Sequence, residues 1–98
     1  MAYARIGQFK AKSDHIGDLC RIYEQEAIPE IRAAPGNISA VLMRQQEEDE
    51  TFLAITLWNS QEDAEAYDKS GAAQRVVDKV RHTFAGPATL TTYDALGI

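Results

Sequence analysis

The two clearest strand segments of this chain are apolar on both faces. One runs from Asn37 to Gln46 and the other from Thr51 to Trp58. In the second, Leu53, Ile55 and Leu57 point one way while Phe52, Ala54 and Trp58 point the other. In the first, Ile38, Ala40 and Leu42 oppose Val41 and Met43. A sheet with one wet side alternates apolar with polar residues instead. Leaving Phe52, Trp58, Val41 and Met43 in water would forgo roughly 1.5–3 kcal/mol each. Together that is comparable with the about 5–15 kcal/mol that holds a small domain folded. Both faces of the sheet therefore need cover.

The helical segments are too few to supply it. Tyr3 to Ala11 alternates and reads as a first strand. Ser13 is expected to cap a helix whose apolar stripe is Ile16, Leu19, Cys20, Tyr23 and Ala27. Ile28 and Ile31 extend it past Pro29, where the missing donor predicts a kink or a tighter turn, and Ala34-Pro35-Gly36 ends it. The run Glu47-Glu48-Asp49-Glu50 is a solvated hairpin loop, without the ligand spacing of a calcium loop. Ser60 through Asp63 has the form of a capping box and opens a second helical region. That region breaks near Ser70-Gly71, resumes with Ala73, Val76, Val77 and Val80, and ends at Gly86-Pro87. A last strand runs from Thr89 to Tyr93.

The order strand, helix, strand, strand, helix, strand predicts an α+β, ferredoxin-like βαββαβ domain. Its antiparallel four-stranded sheet carries two helices on one face. With 98 residues, one domain spanning 1–98 accounts for the chain. The simplest cover for the second face is another copy of the chain, so a homodimer is expected.

A net charge of −5 argues against a nucleic-acid partner, which needs a basic stripe. No apolar run approaches the roughly 20 residues of a membrane span, and no leader pattern opens the chain, so a cytoplasmic location is expected. Cys20 is the single cysteine and, on an apolar stripe, reads as a small buried hydrophobe. Cysteine clusters and histidine–carboxylate metal spacings are lacking, and neither a metal nor a cofactor is expected.

Two motifs carry a resemblance. Ile28-Pro29-Glu30-Ile31-Arg32-Ala33-Ala34-Pro35-Gly36 looks like a helix end with a proline–glycine stop. Thr56-Leu57-Trp58-Asn59-Ser60-Gln61-Glu62-Asp63-Ala64, followed by Tyr67, looks like a strand-to-helix signature. In both, and in layout from Tyr3 to Tyr93, the chain resembles the antibiotic biosynthesis monooxygenase family of dimeric α+β barrels. The resemblance implies two facing sheets and a pocket between sheet and helices in each subunit. It also implies cofactor-independent monooxygenation of a quinol or a phenolic or polycyclic aromatic molecule. Other members degrade haem through a histidine on the second helix, beyond an aromatic residue. The matching positions are Tyr67 and Val77, and valine cannot ligate iron, so haem degradation is not expected. The alternative is a non-catalytic small-molecule-binding or stress-related module.

A cofactor-free oxygenase needs a deprotonated, electron-rich substrate, hydrogen-bond donors or a cation to hold it, and a proton acceptor. Arg5, Tyr67 and Tyr23 are the candidate catalytic residues. Arg5 lies on the face of Tyr3, Gly7 and Phe9, where it either holds an anion or makes an edge or intersubunit salt bridge. Gly7 makes room either for a ligand or for a core side chain. Tyr23 and Tyr67 either bind or deprotonate a phenol or are packed residues. Trp58, Phe9 and Met43 are the candidate substrate-binding residues, with Trp58 serving equally well as a core or interface anchor. His15, beside Asp14, and His82, four residues from Asp78, read as surface groups.

Overall fold

The computed structural model describes residues 1–98. Strands β1 (Ala2–Lys10), β2 (Asn37–Arg44), β3 (Thr51–Trp58) and β4 (Thr89–Ala95) form one sheet in the order β2-β3-β1-β4. Every neighbouring pair is antiparallel. This is the ferredoxin-like order, in which the two helical crossovers pack on one side. The helices are α1 (Ile16–Ile22), α2 (Ile28–Arg32), α3 (Gln61–Lys69) and α4 (Ala72–Val80). None is long and apolar enough to cross a membrane.

The helical stretch through Pro29 differs from expectation. It does not tighten. Between α1 and α2 it widens into a π turn, Tyr23–Ala27, closed by the Ile28 amide donating to the Tyr23 carbonyl. The hydrogen bonding changes register just ahead of Pro29, the position that has no N–H to offer. Ser13 does not cap α1. It opens a short 3-10 turn, Ser13–His15, without a side-chain cap. The second region behaves as its capping box predicts at its start, where the Ser60 hydroxyl accepts from the Asp63 amide at 3.2 Å. Its break falls at Gly71, whose φ of 86° ends one helix and begins the next. Ser70 bridges the break, donating from its hydroxyl to the Tyr67 carbonyl and accepting from the Ala72 amide.

Register decides which apolar residues meet the helices. Phe9 lies opposite Phe52, Gly7 opposite Ala54, Arg5 opposite Thr56 and Tyr3 opposite Trp58. Leu42 faces Ala54 and Ala40 faces Thr56. Neighbours across a ladder share a face, so these side chains all lie on the helix side. Trp58 and Phe52 are fully buried there with Leu19. They are therefore not part of the uncovered face to which the strand pattern had assigned them with Val41 and Met43. The uncovered face is built from Ile6, Leu53, Ile55, Leu57, Val41, Met43 and Tyr93. Val41 and Met43 remain 42% and 48% exposed. A bulge at Ile38, between Asn37 and Ser39, shifts β2 by one residue. The Asn37 amide group stitches it, donating to the Ser39 and Leu57 carbonyls.

Cys20 also departs from expectation, being exposed rather than buried. The stripe that enters the core runs through Leu19, Ile22, Tyr23, Ala27 and Ile31.

After α2, Pro35-Gly36 reverses the chain into β2. Gly36 has φ 81°, and a Cβ there would fall onto the Asp63 carboxylate of α3. Its carbonyl accepts from the Asn59 amide at 2.8 Å. Both the backbone angle and the close approach demand glycine. Gly36→Ala is expected to destabilise the fold by about 2–4 kcal/mol, from left-handed strain plus overpacking. A urea melt of the variant against the parent chain measures this.

Candidate functional site

Arg5 reaches from β1 to α3, where both terminal nitrogens donate to the Asp68 carboxylate at 2.7 Å. Its guanidinium also lies 5.8 Å from the centre of the Tyr3 ring. The side chain is only 15% exposed. A cation this dry needs a bidentate partner, and Asp68 supplies it. The hydrogen bonds that Arg5 donates to Asp68 raise its pKa, although burial works against them. The partner lies within the same chain, on a helix, and so differs from both the edge and the intersubunit bridge. The Arg5 Nε remains without a partner.

Trp58 sits beneath this region with no exposed surface. Its indole N–H donates to the Thr56 hydroxyl at 3.0 Å, and its ring packs 5.0 Å from that of Tyr67. Tyr67 and Tyr23 are both buried. Burial pushes Tyr23 up to about 12. Tyr67 is raised further, first by burial and then by the charges of Tyr23, Glu30 and Asp68. Both are therefore neutral phenols at neutral pH. They can donate a hydrogen bond but cannot act as resident bases.

The main cavity has a volume of about 410 Å³ and opens between α2, α3 and α4. Ala33, Ala34, Pro35, Ala66, Ala72 and Tyr67 give it apolar walls, and Glu30, Asp63, Ser70 and Arg75 bring polar groups. Small side chains create the space, and the volume suits a small aromatic ligand. Glu30 and Arg75 pair at 2.8 Å. Asp63 makes no side-chain hydrogen bond. The reciprocal half of its capping box is unformed, and its carboxylate lies instead against Gly36.

The cavity differs in place from the pocket expected between sheet and helices. That layer is packed with Trp58, Phe52, Leu19 and Phe9, and the Phe84 ring lies tilted with its centre 4.2 Å from that of Phe9. Of the sequence candidates, Tyr67 lines the cavity and Trp58 packs behind it. Tyr23 lines a separate cleft of about 150 Å³ with Cys20 and Leu42. Phe9 is in the core, and Met43 is on the opposite side of the sheet, so Trp58, Phe9 and Met43 do not converge. Met43 borders a third hollow of about 280 Å³ with Gln8 and Thr51. At Gly7, an added Cβ would meet only Ala54, 3.9 Å from its oxygen and 4.0 Å from its Cβ, so the packing leaves room. Val77 is exposed on α4. His82 does not pair with Asp78, which is engaged by Gln74 and Arg81. No three His, Cys, Asp or Glu side chains converge as metal ligands.

Sequence reasoning missed Asp63, Glu30, Ser70 and Arg75. Asp63 was legible as the acid of a capping box, but its meeting with Gly36 was not. Nothing in the spacing brought α2 and α4 together.

The tyrosines make stability depend on pH. Tyr23 has an ordinary value of 10.0 and a folded value of about 12. The stabilisation is complete below 10 and is lost as pH rises toward 12, because the unfolded chain ionises first. Unfolding free energy should fall by about 2–3 kcal/mol over that window through Tyr23 alone. Parallel melts of Tyr23→Phe should show a correspondingly shallower decline.

The fold is shared with proteins of low sequence identity. One, from Bordetella bronchiseptica and named after antibiotic biosynthesis monooxygenases, is 18% identical with a TM-score of 0.86, covering 97% of each chain. A similarly named protein from Nitrosomonas europaea is 20% identical with a TM-score of 0.83, covering 97% of this chain and 90% of its own. A protein of Mycobacterium tuberculosis is 17% identical with a TM-score of 0.82, covering 100% of this chain and 98% of its own. No curated protein matches. The family profile described as antibiotic biosynthesis monooxygenase matches residues 2–79, and the chain belongs to that family.

Proposed function

We propose that this chain is a cofactor-independent monooxygenase that oxidises a quinol or phenolic aromatic molecule in the α2–α3–α4 cavity. The observation that carries the reading is the unpaired Asp63 carboxylate in an otherwise largely apolar cavity beside the neutral phenol of Tyr67. Asp63 is placed to accept a phenolic proton, and Tyr67 to donate a hydrogen bond to the resulting phenolate. Arg5, held by Asp68, partly offsets the carboxylate charges that act on Tyr67. Trp58 supports the Tyr67 ring from behind.

The substrate is its own reductant. A phenolate passes an electron to dioxygen, the two radicals join at a ring carbon, and the peroxide O–O bond then breaks. For conversion of a phenol to a quinone, one O–H and one ring C–H bond are lost. One oxygen atom becomes the new carbonyl and the other leaves as water with both hydrogens. All four electrons taken up by dioxygen come from the substrate, so neither flavin nor metal enters the balance.

The reading includes a homodimer of a single domain spanning residues 1–98. Ile6, Leu53, Ile55, Leu57, Val41 and Met43 form an apolar sheet face that no helix covers, and a second copy is its simplest cover. Dimer formation leaves the helix-side cavity open.

Oxygen consumption with a panel of quinols and naphthols tests the activity. Asp63→Asn should lower kcat by about 10²-fold with an unchanged circular dichroism spectrum. Absence of turnover across the panel would overturn the reading. Thermal stabilisation by the same compounds without oxygen uptake would favour the non-catalytic binding module. Sedimentation equilibrium at micromolar concentration should yield twice the mass of the 10.9 kDa chain, and a stable single subunit would remove the dimer.

A further inference from the structure

The ends of the two helical crossovers meet at a pair of 3-10 turns, Ser13–His15 and Arg81–Thr83. The backbone locks them together. The Lys12 amide donates to the Thr83 carbonyl at 2.8 Å, the Ala85 amide to Lys10 at 2.8 Å, and Ala11 bridges to Phe84. Each turn is also fixed internally. The His15 amide donates to the Lys12 carbonyl at 2.9 Å, and the buried Thr83 hydroxyl donates to the Val80 carbonyl at 2.6 Å. Residues far apart in the chain are thus held side by side, and the rings of His15 and His82 come 6.0 Å apart with their planes at 78°.

We propose that His15 and His82 form a binding site for a divalent transition metal of the Zn²⁺ or Cu²⁺ type, with water completing the coordination. Two imidazoles bound to one ion at about 2.0–2.1 Å place their ring centres roughly 5–6 Å apart, a separation close to that of this pair. A second observation points the same way. The Asp14 carboxylate lies 2.8 Å from His15 Nδ1. That bond places the proton on Nδ1 and leaves the Nε2 lone pair free, the arrangement that orients ligating histidines. His82 has no carboxylate partner, since Asp78 is occupied by Gln74 and Arg81. Both rings are accessible. Imidazole donors favour zinc, copper and nickel over magnesium or calcium.

The test is calorimetric titration of the full chain with ZnCl₂ and CuCl₂ in a non-coordinating buffer, with MgCl₂ as control. One ion should bind per chain in the micromolar range, with no heat from magnesium. His15→Ala and His82→Ala, both at accessible positions, should each weaken binding at least tenfold. Asp14→Asn should weaken it about tenfold, because the orienting bond is lost. Cys20→Ala should leave it unchanged, which separates this pair from the exposed thiol. Copper electron paramagnetic resonance should show coupling to imidazole nitrogen that disappears in the double variant. No binding at millimolar metal, or an affinity that survives either histidine substitution, would overturn the proposal.

Discussion

The architecture depends on the way β3 divides its side chains. Phe52, Ala54, Thr56 and Trp58 turn toward the helices, and Leu53, Ile55 and Leu57 turn away. Because β3 is an interior strand, that division propagates through β1 and β2 and determines which residues the helices must cover. Trp58, without exposed surface, is the point where this layer meets α3 through Tyr67. Large aromatic rings fill much of the space between sheet and helices. Alanines dominate the nearby meeting of α2, α3 and α4, and the space they fail to fill is the cavity. The cavity is therefore a consequence of size complementarity, with bulk beneath and small residues above.

Charge arranges the helical layer over that core. Arg75 joins α4 to Glu30 of α2, and Lys79 joins α4 to Glu26 of the π turn. Exposed pairs of this kind contribute little stability, typically under about 1 kcal/mol, but they bias how the helices sit. Arg5 is different because its side chain is largely withdrawn from water, so its pairing with Asp68 answers a desolvation demand. The same burial keeps Tyr23 and Tyr67 neutral. The candidate site thus combines fixed donors with one unengaged carboxylate.

Much of this organisation was legible in the residues. Ser60 capped its helix as its spacing required, Gly71 broke the helix where expected, and the alternation from Thr51 to Trp58 marked a strand. Errors arose wherever the outcome rested on a partner far along the chain. Phe52 and Trp58 were grouped with Val41 and Met43 because alternation reveals two faces without saying which face of one strand joins which face of the next. The bulge at Ile38 and the pairing of β2 with β3 settled that. An ideal helical period puts Cys20 in the core, but the buried face of α1 runs through Leu19 and Ile22 instead.

The candidate site shows the same split. Periodicity, caps and turn residues are local, so the amino-acid order alone determined the βαββαβ succession, the one-sided supply of helix and the excess of apolar strand surface. Arg5 was recognisable as a cation needing a partner, because its strand neighbours are apolar. That the partner is Asp68, that Asp63 rests on Gly36 and that His15 meets His82 were decided only by tertiary structure. Those contacts join residues on separate elements, and their geometry is set by strand register and helix packing, which no local pattern encodes.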